Sequence, residues 1–186
     1  MKLNKTFHIL TALFTLTLSA CVTSPLSPEA LQKREAAKAR VELGMGYLQQ
    51  GDKALAKRNF DKALAHAPDY YFVQGALAYF YQQQGDIPTA QKHYESAIKL
   101  APEQGDIHNN YGAFLCSQGQ YDKAYAQFQL ALKSPNYYRQ ADTLENIALC
   151  ALAENNTALY QQSFAQLQKI DHTRAEKLKN LQKSKE

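Results

Sequence analysis

Tryptophan is absent from the 186 residues, and there are only three cysteines, six prolines and eight glycines. Glycine and proline together average about 12% of soluble domains, so both turn-formers are scarce here. That scarcity excludes a collagen-like chain and argues against a turn-rich β-sandwich. Three cysteines are too few for a disulfide scaffold or a four-cysteine zinc site. Also missing are a glycine-rich phosphate loop ending in Lys-Ser/Thr, a His-Glu-x-x-His pair, a Gly-x-Ser-x-Gly elbow and a Cys-x-x-Cys pair. His66, His93, His108 and His172 are scattered and read as solvated or interface histidines. The expectation is a mostly helical protein, not an enzyme, with no cofactor, metal or small-molecule substrate.

Long hydrophobic runs are absent too. The longest apolar stretch, Phe7–Leu18, is broken by His8 and three threonines and is too short for the ~20 residues of a bilayer-spanning helix. With Lys2 and Lys5 before it, residues 1–20 read as a signal peptide. Leu18-Ser19-Ala20-Cys21 resembles the bacterial lipoprotein processing motif, in which the cysteine is acylated and becomes the first mature residue. The alternatives are a conventional signal peptide with Cys21 an ordinary residue, or a membrane anchor. Several acyl chains, at about 0.8 kcal/mol per buried methylene, would hold the protein firmly to a bilayer. Val22 and Thr23 follow in place of the aspartate that usually signals inner-membrane retention in such lipoproteins, which implies the outer membrane, periplasmic face. Residues 21–28 would then be the lipidated N-terminus and a tether reaching about 20 Å. Without Lys2 and Lys5 there are 19 basic against 17 acidic side chains, a net +2, so nothing in the charge calls for nucleic acid.

What is present is a repeat. Gly44, Tyr47, Gly51, Ala56, Phe60, Ala63 and Pro68 recur 34 residues later as Ala78, Tyr81, Gly85, Ala90, Tyr94, Ala97 and Pro102. The same interval leads on to Gly112, Leu115, Gly119, Ala124, Phe128 and Ala131, with Pro135 one place early. This is the tetratricopeptide period. It predicts an all-α, right-handed superhelix of antiparallel helix pairs, about four repeats over residues 37–70, 71–104, 105–138 and 141–172, inside a solenoid spanning 29–172.

The spacings have physical causes. Leu43 and Tyr47, like Leu77 and Tyr81, lie on one helix face and are expected to pack on the second helix of their repeat. Small residues at Gly44, Ala78 and Gly112, opposite Ala56, Ala90 and Ala124, let the paired helices approach closely. Gly51, Gly85 and Gly119 suit the left-handed residue that ends a helix, and Asp52 and Asp86 can cap the next one. Pro88 falls in a first helical turn. The fourth repeat is degenerate: Asn146-Ile147-Ala148 echoes Asn110-Tyr111-Gly112 at a spacing of 36, Asn155 takes the turn-glycine place and Tyr160 a small-residue place. Thr173 and Glu176 offer a capping box for a terminal helix over 173–186, which would cover the exposed end of the stack. Ser27-Pro28-Glu29 reads as the start of a first helix longer than a repeat needs.

Cys116 and Cys150 fall late in the first helices of repeats three and four. In an oxidising periplasm they either form a disulfide fastening the fourth repeat to the third or remain two buried thiols. First helices line the hollow side of such stacks. The expected lining is Val41, Met45 and Leu48, then Phe72, Tyr79 and Gln82, then Asn109 and Ala113, with Glu145, Leu149 and Leu152 from the fourth repeat. The apolar early part suits an apolar or amphipathic segment of another protein. Val41 and Met45 stand where carboxylate-clamp repeats carry Lys and Asn, so capture of an acidic C-terminal tail is disfavoured.

The run Asn109-Asn110-Tyr111-Gly112-Ala113-Phe114-Leu115-Cys116, with Leu144-Glu145-Asn146-Ile147-Ala148-Leu149-Cys150 behind a lipoprotein leader, resembles the tetratricopeptide lipoproteins of type IV pilus biogenesis and stability. Ala148 departs from the glycine more typical there. That resemblance implies a pilotin, an outer-membrane lipoprotein that binds the secretin subunit and promotes its localisation and multimerisation. The alternatives are a repeat lipoprotein of another secretin or tight-adherence pilus system, a periplasmic scaffold for peptidoglycan enzymes and, last, an enzyme.

Overall fold

The structure, a computed structural model, describes residues 26–183. The leader, Cys21, most of the tether and the last three residues lie outside the described residues. Within them the chain forms α1 (Pro28–Gln49), α2 (Lys53–His66), α3 (Tyr71–Gln83), α4 (Ile87–Leu100), α5 (Gly105–Ser117), α6 (Tyr121–Lys133), α7 (Gln140–Glu154), α8 (Thr157–Ile170) and α9 (His172–Lys183), with no strand among the described residues. Helices pack in consecutive pairs, α1 on α2 through α7 on α8, and each pair leans on the next. No described helix is long and apolar enough to cross a membrane.

The turn chemistry inside each pair follows from the residues. Gly51, Gly85 and Gly119 have φ of 82°, 77° and 71°, the left-handed region that glycine enters without a Cβ clash. Asp52 and Asp86 then accept hydrogen bonds from the backbone N–H of Leu55 (2.9 Å) and Thr89 (3.2 Å), capping α2 and α4. The degenerate fourth repeat makes the same turn with Asn155 (φ 64°) and caps α8 with Asn156, which accepts from Leu159 N–H at 3.1 Å. At the start of the chain, Ser27 caps α1 by accepting from Ala30 N–H, with Pro28 in the first turn.

Close approach sets the pair geometry. A Cβ on Gly44 would stand 2.7 Å from the Phe60 ring, and one on Gly112 2.6 Å from Phe128, so the ring of the second helix lies directly on the first helix's backbone. Both rings are fully buried. Three clusters run along the stack: one around Phe60, Leu77 and Phe80, one around Tyr94, Phe114 and Phe128, and one around Tyr160, Leu167 and Leu178. Tyr160 is accommodated among Ala148 and Ala151 and stacks on Phe164 at 5.9 Å.

Two expectations are corrected. Leu43 does not pack on α2 as expected; it is 45% exposed, whereas its counterpart Leu77 is 1% exposed. Leu77 belongs to the cluster of Ala56 and Phe60 on the preceding repeat. No repeat precedes α1 among the described residues, so the same helix position in α1 meets solvent. Thr173 and Glu176 do not cap α9: Asp171 does, accepting from Arg174 N–H at 3.0 Å, because α9 starts directly after α8 at His172.

The glycines generate a paired prediction. Gly112→Ala should lower stability by about 1–2 kcal/mol, since the Phe128 ring and the Ala124 carbonyl leave no room. Gly46→Ala, in the same type of helix with open space around it, should raise stability by about 0.5–1 kcal/mol. Urea midpoints at pH 7 measure both, and equal shifts would contradict a tight contact at Gly112.

Candidate binding groove

The backbones of α3 and α5 approach less closely than those of α1 and α3 or α5 and α7. A cavity of about 390 Å³ opens there on the side of the first helices. Six of the residues expected from the sequence line it: Val41, Met45, Phe72, Tyr79, Gln82 and Ala113. Leu48 lies next door, lining a hollow of about 310 Å³ that shares Met45 and Tyr79 with the first and adds Gln49 and Lys53.

Asn109 does not line the cavity. It is 4% exposed, and its carboxamide oxygen accepts from Asn146 Nδ2 at 3.0 Å, tying α5 to α7. Its neighbour Asn110 faces the cavity instead. Glu145, Leu149 and Leu152 are also outside the lining; Glu145 is turned to Arg174 at 3.4 Å, Leu149 is exposed, and Leu152 packs against the Tyr160 cluster. The groove therefore belongs to repeats one to three.

The cavity is also lined by Gly75, Ala76, Tyr94, Asp106, Ile107, Asn110 and Arg139, none of which the sequence places there. Asp106 has a signal in the sequence, since it lies one 34-residue period after Phe72. Tyr94 sits on a second helix yet still lines the cavity, a contribution that a reading confined to first helices passes over. Arg139 comes from the lengthened link between α6 and α7, which carries no repeat signal.

Polar groups in the cavity are held in place. Tyr94 donates its hydroxyl proton to Gln82 Oε1 at 2.9 Å, and burial pushes its pKa up, so it stays a neutral donor. Arg139 donates through Nε to Asp142 Oδ2 at 2.6 Å. Asp142 also receives Arg174 of α9, which further pairs with Glu145 (3.4 Å) and Asp171 (3.6 Å). Burial alone would raise the Asp142 pKa, but the bonds from Arg174 and Arg139 outweigh it and hold the carboxyl below its usual range.

Below the groove, Cys116 on α5 and Cys150 on α7 are joined in a disulfide with Cα atoms 5.8 Å apart. The bridge fastens the fourth repeat to the third. Among the described residues, no group of three or more His, Cys, Asp or Glu side chains is placed to hold a metal ion.

Residues 37–70 and 81–145 each match the tetratricopeptide repeat. Together with the helix pairs, this makes the molecule a tetratricopeptide-repeat protein, a class whose surfaces bind other proteins. Within it, the chain belongs to one family with a Haemophilus influenzae protein described as uncharacterized, 52% identical over 169 residues that span 91% of this chain and 93% of the relative. Among solved structures it is similar to PilF of Pseudomonas aeruginosa, with a TM-score of 0.72 and 26% identity over 82% of this chain and 72% of that one. It shares its fold with PilW, described as a widely conserved type IV pilus biogenesis factor, with a TM-score of 0.67 and 24% identity over 72% of this chain and 61% of that one.

Two measurements check the supports of the groove. Because Asp142 has a lowered folded pKa, its contribution is present above the unfolded value of about 3.9 and is lost as pH falls through the folded value. Asp142→Asn should therefore cost about 1 kcal/mol at pH 7, and the difference from the parent should vanish towards pH 2–3 in denaturation curves. Replacing Cys116 and Cys150 together by alanine should lower unfolding free energy by about 3–4 kcal/mol, and added reductant should then have no further effect.

Proposed function

We propose that this chain is a pilotin: an outer-membrane lipoprotein, acylated at Cys21 and facing the periplasm, that grips a segment of the type IV pilus secretin subunit and promotes its multimerisation. The observation that carries this reading is the likeness to PilF over most of both chains. The leader ending in Leu18-Ser19-Ala20-Cys21 supports it, and so does the fold shared with a pilus biogenesis factor. The physics fits the role. Acyl chains supply an address, since burying two or more of them in a bilayer gives stable anchoring. The stacked pairs supply a stiff surface, and the apolar floor of Val41, Phe72, Ala76 and Ile107 can cover an aggregation-prone segment of a subunit in transit. Binding and delivery require no bond to be made or broken beyond acylation of the anchor itself.

The test is genetic. Deleting the gene, or changing Cys21→Ser, should reduce the secretin multimer recovered from the outer membrane, and normal multimer in both strains would refute the proposal. A photoreactive residue at the half-exposed Tyr79 should trap the secretin in living cells. Trapping a peptidoglycan enzyme, or the secretin of another system, would instead assign the chain to that machinery.

A further inference from the structure

The two charged side chains lining the cavity are not equivalent. Arg139 already has a carboxylate against its guanidinium, and Asp142 in turn is shared with Arg174. Around that pair of guanidinium groups stand three carboxylates, those of Asp142, Glu145 and Asp171. Asp106 also lines the cavity, and it makes no ion pair or hydrogen bond among the described residues. Of the two charged side chains in the lining, Asp106 is therefore the one with no countercharge bonded to it. The first turn of α5 tolerates a carboxylate at Asp106, because the helix N-terminus favours negative charge, but that leaves the carboxylate's outward side open to the cavity.

Two tyrosine hydroxyls feel the charge of the same carboxylate. Burial and then Asp106 raise the pKa of Tyr71, to about 12, and burial also raises that of Tyr137, with Asp106 adding to the effect, so both hydroxyls stay protonated. Tyr137 is fixed by its hydroxyl to Thr143 Oγ1 at 2.8 Å and by its ring against Gly105. The next residue, Tyr138, is 92% exposed, held out by a link anchored on both sides at Tyr137 and Arg139. An unpaired carboxylate in the wall of an apolar cavity attracts a cation by direct charge and by charge-assisted hydrogen bonding.

We propose that the partner segment held in this groove is apolar and carries a lysine or arginine whose cation sits on Asp106, with neighbouring apolar side chains on Val41, Phe72 and Ile107. This rests on the reading of the groove as a polypeptide-binding face and names the chemistry that face selects. The bound segment has a direction: its basic residue lies at the α5 end, away from Lys53 in the adjoining hollow.

The probe is a phage-displayed library of random 12-residue peptides, selected on the full chain expressed with its own N-terminus and immobilised through a C-terminal tag. Selected peptides should combine large apolar residues with Lys or Arg. Their affinity should fall about tenfold on Asp106→Asn, and selection on Asp106→Lys should turn to Asp- or Glu-bearing peptides. Thermal unfolding of Asp106→Asn should stay close to that of the parent, and Asp106→Lys, which sets a cation against the N-terminus of α5, is used for selection at a temperature where its unfolding curve shows it fully folded. Failure to select any peptide, selection of peptides lacking a basic residue, or a basic preference that survives Asp106→Lys would overturn the proposal. A basic apolar motif recovered alongside normal secretin multimers in the Cys21→Ser strain would reject the pilus partner and leave the groove's selectivity standing. The reverse outcome would reject the selectivity alone.

Discussion

The contact on which the rest depends is an aromatic ring of the second helix lying on a residue with almost no side chain in the first. Gly44 meets Phe60 and Gly112 meets Phe128 at distances that no Cβ could share without a shift. The contact fixes how deeply each pair interlocks, which sets the angle at which first helices stand beside one another and so the width of the hollow side. In the second repeat the ring is Tyr94, opposite Ala78, and its buried hydroxyl needs an acceptor. Gln82 of α3 supplies it at 2.9 Å. One oxygen on an otherwise phenyl position thus fixes a polar point within an apolar cavity.

A second device repeats with the period and was not legible from composition. Residues 19 apart hold each of the first three pairs together through polar side chains: Arg40 with Asn59 (3.3 Å), Gln74 with His93 (2.7 Å) and His108 with Gln127 (2.7 Å). Gln74 also donates to the Pro68 carbonyl, and His108 Nε2 to that of Pro102, both at 2.8 Å or less. Two chemically different side chains therefore do one job, satisfying the carbonyl that the inter-repeat turn leaves open. Because the residue types differ, a search for identical residues at the repeat spacing passes over them. The role of His108 is structural, in line with the reading of the scattered histidines as interface or solvated groups.

The helix pairs, their turns and most of the groove could be read from the sequence because glycine, proline and small residues at a fixed interval dictate local geometry. The misreadings fall where local geometry does not decide. A helix turns about 100° per residue, so Asn109 and Asn110 point to different surroundings, and only the actual set of α5 against α7 shows which faces the cavity. Leu43 follows the pattern of Leu77, but among the described residues no earlier repeat meets it. The disulfide spacing is instructive in another way. Gly112 and Ala148 are equivalent at 36 residues, whereas Cys116 and Cys150 are 34 apart, so the cysteines are not repeat equivalents. They bond because they lie on the mutually facing sides of α5 and α7, as do Asn109 and Asn146 at a separation of 37.

The lengthened link before α7 shows how a departure from the repeat acquires a use. Two extra residues would by themselves loosen the fourth pair, but Asn136 adopts a left-handed φ of 58°, Tyr137 is locked to Thr143, and Arg139 is drawn onto Asp142. Asp142 is held in turn by Arg174 at the start of α9. The terminal helix therefore does more than cover the apolar end of the stack with Ala175 and Leu178. By engaging Asp142 it positions the carboxylate that occupies Arg139, and so it helps to hold one of the two charged side chains that line the cavity.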